Sequence, residues 1–160
     1  MKVKDLMTGD VKCCADRDTL NTAAQIMWDY DIGCLPIVNG EGRCVGMLTD
    51  RDVCMSAYIK GVPLSGASVS SAMSREVHSC EPDDEIVAAE KSMKENQIRR
   101  LPVLDLAARP IGMISLNDIV REAARETETR AKREVTDAEI AAVLASVCAP
   151  RHGITQALAA

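Results

Sequence analysis

Gly46-Met47-Leu48-Thr49-Asp50-Arg51-Asp52 returns 66 residues later as Gly112-Met113-Ile114-Ser115-Leu116-Asn117-Asp118, and the fold follows from that echo. In each stretch a short apolar run ends in a hydroxyl residue, an aspartate stands three residues on, and a helical pattern begins. Asn39-Gly40-Glu41-Gly42 bounds the first run on its other side, as a turn bounds a strand. A hydroxyl followed three residues later by an acid is a capping box: the hydroxyl accepts from an orphan amide and the carboxylate reaches back to the cap amide. One such turn reads as structure. A recurring glycine, identical spacing and the anion affinity of a helix N-terminus together raise a functional reading.

The offset of 66 holds without a gap from Met7 to Asp52. Met7 matches Met73, Asp18 matches Asp84, Met27 matches Met93, and Leu35-Pro36 matches Leu101-Pro102. A repeat of this length sets the architecture, and two copies are too few for a solenoid, so they are expected to pack face to face. Each copy reads as an extended piece, a helix, two strands and a helix. The extended pieces are Val11 to Cys14 and Val77 to Cys80. The first helices run from about Leu20 to Tyr30 and Glu85 to Asn96, with Leu20, Ala23, Ala24 and Met27 at helical spacing. Asp18 and Asp84 stand where N-caps belong. The strands are Leu35 to Val38 and Cys44 to Leu48, echoed by Leu101 to Leu104 and Ile111 to Ile114. The second hairpin turn, Asp105 to Pro110, has no glycine, which leaves its geometry open.

The chain divides into a first repeat over 1–60, a linker over 61–71, a second repeat over 72–128 and a helical tail over 129–160. The linker is assigned from its Gly, Pro and Ser content. In the tail, Arg125 to Glu134 is mostly charged and reads as a solvated helix continuation. Thr136-Asp137-Ala138-Glu139 is a further capping box, followed by an apolar stripe at Ile140, Val143, Leu144 and Val147 that ends near Pro150. That stripe either packs back on its own pair or crosses to a second subunit.

Composition excludes several classes. Of 160 residues, 47% are hydrophobic and 27% charged, as in a soluble globular chain. Aromatics are 2%, with no Phe, so a stacking platform for single strands has no material. A net charge of −5 argues against nucleic acid as a partner. The start lacks the apolar segment of a signal peptide, and no uncharged apolar run nears the roughly 18 residues of a membrane span. Seven Cys without a CxxC pair fit free thiols in a reducing cytoplasm.

The β-α-β-β-α repeat, with Gly-h-h-[Ser/Thr]-x-x-Asp at its last turn and Leu-Pro on its middle strand, resembles the CBS domain, named after cystathionine β-synthase. The two copies, from Met1 to about Arg125, look like a tandem pair (a Bateman module) of the stand-alone bacterial type, with no catalytic, channel or transporter domain. The implied fold class is α/β (α+β): two repeats in a pseudo-two-fold pair plus a C-terminal helix.

The resemblance implies a regulatory module binding an adenosine-containing ligand, AMP, ADP, ATP or S-adenosylmethionine, in the cleft between repeats and signalling to an unknown protein. It places phosphate on Thr49 and Ser115 and ribose hydroxyls on Asp52 and Asp118. Backbone at Val11 to Cys13, Val77 to Ser79, Ile32 and Ile98 would border the base. Arg99 and Arg100 match a basic position facing phosphate, where the first copy has Gly33 and Cys34. The residue chemistry agrees: a diol suits a two-acceptor carboxylate, and a phosphate suits a hydroxyl, helix-start amides and a guanidinium.

Other readings are weaker. Cys13, Cys14, His78 and Cys80 lie on matching extended pieces, but their spacing fits no zinc motif, so no metal and no required cofactor are expected. Catalysis is not expected either: His78 and His152 are the only histidines, and neither has an evident nucleophile partner. The alternative is a structural homodimer with vestigial clefts or clefts for a metal or other ligand. A homodimer is expected on either reading, with Met27, Trp28, Met55 and Met93 on its helical faces.

Overall fold

The computed structural model describes residues 1–129 and 136–149. Its elements follow the repeat. The first copy holds β1 (Cys14–Ala15), α2 (Leu20–Asp29), β2 (Cys34–Val38), β3 (Cys44–Thr49) and α3 (Asp50–Lys60). The second holds α4 (Ile86–Asn96), β4 (Arg100–Leu104), β5 (Pro110–Ser115) and α5 (Leu116–Thr129). A one-turn α1 (Val3–Leu6) precedes them and α6 (Asp137–Val147) follows. In the first copy β1 runs parallel to β2, and β2 antiparallel to β3. In the second, a single parallel bridge from Cys80 to Val103 stands where β1 pairs with β2, beside the β4–β5 hairpin. Both hairpins carry a bulge at the same place, Ile37/Val38 and Val103/Leu104. This is the α/β pair expected from the repeat.

Each copy has its own core, and each core is completed by a segment that precedes the other copy. Leu20, Leu35, Ile37 and Leu48 pack with Val69, while Ile86, Met93, Leu101 and Ile114 pack with Val3. Both valines are fully buried. The stretch 61–71, read as a linker from its composition, therefore holds two 3-10 turns, Leu64–Gly66 and Val69–Ser71, and supplies Ala67 and Val69 to the first core. Backbone exchange follows the same symmetry. Thr8 pairs with Met113 of β5 and Ser74 with Met47 of β3, each through two hydrogen bonds of 2.9 or 3.0 Å.

This crossing explains the repeated glycines. A Cβ on Gly46 would stand 2.7 Å from the Met73 sulfur and 2.8 Å from the Ser74 carbonyl oxygen. On Gly112 it would stand 2.7 Å from the Met7 sulfur and 3.1 Å from the Thr8 carbonyl oxygen. The glycines make room for the neighbouring copy's backbone.

Several expectations change. Thr19, accepting from Thr22 N, caps α2, and Glu85 occupies the cap of α4 without a side-chain bond. Asp18 instead accepts from Ala15 N at 3.0 Å and Asp84 from Glu81 N at 2.9 Å, so each closes the turn one residue ahead of the cap. The glycine-free hairpin turn repeats the first. Asn39 and Asp105 each accept two backbone bonds, and Ala108 takes the left-handed conformation (φ 59°) of Gly42 (φ 78°). The solvated continuation is corrected at Glu126, which is fully buried. The remainder of that segment, 130–134, the stripe's end at Pro150 and His152 lie outside the described residues.

The described α6 takes the option of packing back on its own pair. Val143 is buried in the second core with Ile140 and Val147 against it, while Leu144 stays 39% exposed. Ser146 Oγ donates to the Lys94 carbonyl at 2.9 Å and Gln97 Nε2 to the Ser146 carbonyl at 3.3 Å.

Candidate functional site

Both turns form full capping boxes. At α3, Thr49 N and Oγ1 donate to Asp52 Oδ2 at 2.8 and 2.7 Å, and Asp52 N donates back to Thr49 Oγ1 at 3.2 Å. At α5, Ser115 N and Oγ donate to Asp118 Oδ2 at 2.8 and 2.6 Å, and Asp118 N returns to Ser115 Oγ at 3.4 Å. Each hydroxyl proton is thus committed to its aspartate. To hold a phosphate, that proton would have to turn outward, leaving a carboxylate oxygen for a ribose hydroxyl. The arrangement can bind; it contains no nucleophile activated by a base.

The second carboxylate oxygen differs between copies. Asp118 Oδ1 is held by Arg121, one turn along α5. Met55 stands at the matching place on α3, and Asp52 Oδ1 has no partner among the described residues. Arg121 is absent from the sequence-based set, although its place three residues after Asp118 on a helix was a usable signal.

Arg100 begins β4 opposite Ser115, as Cys34 begins β2 opposite Thr49. Arg99 and Arg100 are exposed and make no ion pair among the described residues. Burial pushes the Cys34 thiol up to about 11, Arg100 pulls it back, and Asp52 and Asp50 push it further up. These groups therefore share one electrostatic neighbourhood at the seam between copies.

The other candidate residues lie on the extended pieces and just ahead of the middle strands. Val11, Cys13, Val77 and Ser79 lie on the extended stretches before Cys14 and Cys80 and make no hydrogen bond to either turn among the described residues. Ile32 and Ile98 are half-buried against the first and second cores. Two cavities lie elsewhere: one of about 300 Å³ between α5 and α6, and one of about 240 Å³ near Asp83 and Leu106. Neither includes a residue of the ligand set.

The four-residue metal candidate does not assemble. Cys14 and Cys80 are buried in separate cores, and His78 leans on Glu76 at 3.5 Å. Among the described residues no three His, Cys, Asp or Glu side chains converge in a way that could hold a metal. Nor is any described helix long and apolar enough to cross a membrane.

The comparisons agree with this geometry. The CBS domain family model matches residues 3–57 and 69–125, the same 66-residue register. Hypoxic response protein 1 of Mycobacterium tuberculosis is 33% identical over 118 residues, 74% of this chain and 82% of that protein. A crystal structure of Hypoxic Response Protein I with two coordinated zinc ions superposes with a TM-score of 0.69 at 32% identity, covering 76% of this chain and 98% of that one. A CBS domain pair solved with 5′-methylthioadenosine and S-adenosyl-L-methionine superposes with a TM-score of 0.68 at 26% identity and the same coverage. CBS pairs are in general regulatory rather than catalytic modules. With two matched copies, an exchanged core and the repeated hydroxyl–carboxylate turn, this chain belongs to the CBS domain family as a tandem pair.

Proposed function

We propose that this chain is a non-catalytic sensor that binds an adenosine-containing ligand between its repeats and passes its occupancy to a separate protein. The observation that carries the reading is the twice-built turn. A hydroxyl and a carboxylate lie 2.6 to 2.7 Å apart at the start of a long helix, and at the second turn Arg99 and Arg100 make no ion pair among the described residues. The methylthioadenosine and S-adenosylmethionine bound by the similar pair fit the same chemistry. Free thiols fit a reducing cytoplasm. Melting of the full chain with AMP, ATP and S-adenosylmethionine tests the reading. A ligand that binds the folded state raises the melting temperature with its concentration. No shift at millimolar concentration of any of the three sinks it.

The partner surface belongs to the same proposal. Trp28, Met55, Tyr58 and Ile59 of the first copy are 84%, 44%, 83% and 73% exposed. The matching helices of the second copy lie against α6. A second copy of this chain covers the open face on our reading, because an isologous contact pairs apolar side chains with their own kind. Light scattering of the full chain checks this, and a monomer at high micromolar concentration rejects it.

A further inference from the structure

The two turns share register and hydrogen bonding but not charge. Around Thr49 stand Asp50 and Asp52, with Arg51 the one cation of that turn. Asp50 Oδ2 lies 3.0 Å from where a Cβ on Gly33 would be, so its carboxylate occupies the space over that glycine. Its other oxygen accepts from Arg51 N at 2.7 Å. In the second copy the same two positions are Arg99 in place of Gly33 and buried Leu116 in place of Asp50. Arg100 replaces Cys34, and Arg121 replaces Met55 and neutralises Asp118. Arg99 and Arg121 thus stand with one carboxylate at the second turn, whereas Asp50 and Asp52 stand with Arg51 at the first, and Arg100 lies at the seam between them.

We infer that the two turns take adenosyl ligands of opposite 5′ character. The second holds a 5′-phosphate, and the first holds an uncharged thioether or a cationic sulfonium. The inference rests on the adenosyl reading above and adds the ligand class of each cleft. On that reading the 5′ substituent is the group that reaches the hydroxyl of each turn. At Ser115 it meets guanidinium groups able to make charge-assisted bonds to phosphate oxygens. At Thr49 it meets the Asp50 carboxylate, which repels a phosphate dianion and attracts a sulfonium. The unpartnered Asp52 oxygen remains for the ribose diol.

Calorimetric titration of the full chain tests the division, using AMP and 5′-methylthioadenosine, each alone and in the presence of the other at saturation. The expected result is one AMP and one methylthioadenosine per chain, neither displacing the other. Arg99→Ala with Arg100→Ala should weaken AMP roughly tenfold or more and weaken methylthioadenosine less. Gly33→Arg with Asp50→Leu copies a pair of residues that already coexists in the second repeat, and should create a second AMP site. Mutual displacement of the two ligands, or two AMP bound to the unmodified chain, overturns the inference and leaves the adenosyl reading standing. Failure of both ligands to bind at millimolar concentration removes the adenosyl reading and this inference with it.

Discussion

The helices of the second copy carry charge where those of the first carry apolar surface, and α6 packs on another face of the charged pair. Lys94, Arg121, Ala124 and Arg125 replace Trp28, Met55, Tyr58 and Ile59 at matching positions. Glu122 and Glu126 are buried at 7% and 0% exposure, and Arg125 clasps Glu122 through two bonds of 2.7 and 2.8 Å. The first copy leaves Trp28 and Tyr58 in solvent. The inner faces differ little, since Leu35, Ile37 and Leu48 become Leu101, Val103 and Ile114. Core positions face the same neighbours in both copies and stay the same in kind. Outer positions diverge: they are exposed in both copies, charged or small on the helices that carry α6 and apolar on the helices that leave an open face.

The glycine crossings offer the largest break in this symmetry. Gly46→Ala should destabilise by roughly 2–3 kcal/mol, because the new methyl meets a backbone carbonyl as well as a sulfur. Gly112→Ala should cost less, its nearest carbonyl being 0.3 Å farther away by the distances of 2.8 and 3.1 Å. Urea midpoints at constant slope measure both, and equal losses would mean that the two crossings yield alike.

The exchanged arms come next. Val3→Ala should cost about 2 kcal/mol and Val69→Ala a similar amount, each by leaving a void in a core. The location of the loss is the sharper readout. Hydrogen exchange should rise first in α4 and α5 for Val3→Ala and in α2 and α3 for Val69→Ala. The opposite pattern would break the exchange.

Glu90 gives a smaller effect of opposite sign. It is 5% exposed, one of its oxygens is buried without a partner among the described residues, and its counterpart in the first copy is Ala24. Burial, and after it the Glu139 carboxylate from α6, hold its carboxyl above the usual range. A raised folded-state value means that the native chain binds more protons than the unfolded one. This contribution to stability is therefore present below the ordinary carboxylate range and lost as pH rises through the raised value. Glu90→Ala should stabilise at pH 7 by about 1 kcal/mol and flatten this part of the pH dependence. Melting curves from about pH 4, near the ordinary carboxylate values, up to about pH 8 decide it. A loss of stability at pH 7 would show that the acid is satisfied after all.

The smallest effect on stability is Trp28→Lys, which installs the second copy's residue on the open face. Folding stability should change by less than about 0.5 kcal/mol, as for other surface sites. Self-association, read by sedimentation, should weaken. Unchanged association would place the contact elsewhere.

The sequence by itself determined the local half of this protein. Apolar spacing, Leu-Pro strands and hydroxyl-x-x-acid turns are written within a dozen residues, so helices, strands and both capping boxes were legible, as was the 66-residue register. The hydroxyl–carboxylate pairs Thr49–Asp52 and Ser115–Asp118 were legible as caps for the same reason. Only the tertiary structure decided the rest. It showed why Gly46 and Gly112 recur, because Met73 and Met7 arrive from the other copy. It put Val69, from a stretch that reads as a linker, into the first core, and buried Glu126 within a charged run. It also set Arg100 beside Cys34 and Asp52 at the seam. Local pattern records which face of an element is apolar; what lies against that face depends on residues distant in the chain, and no local spacing encodes them.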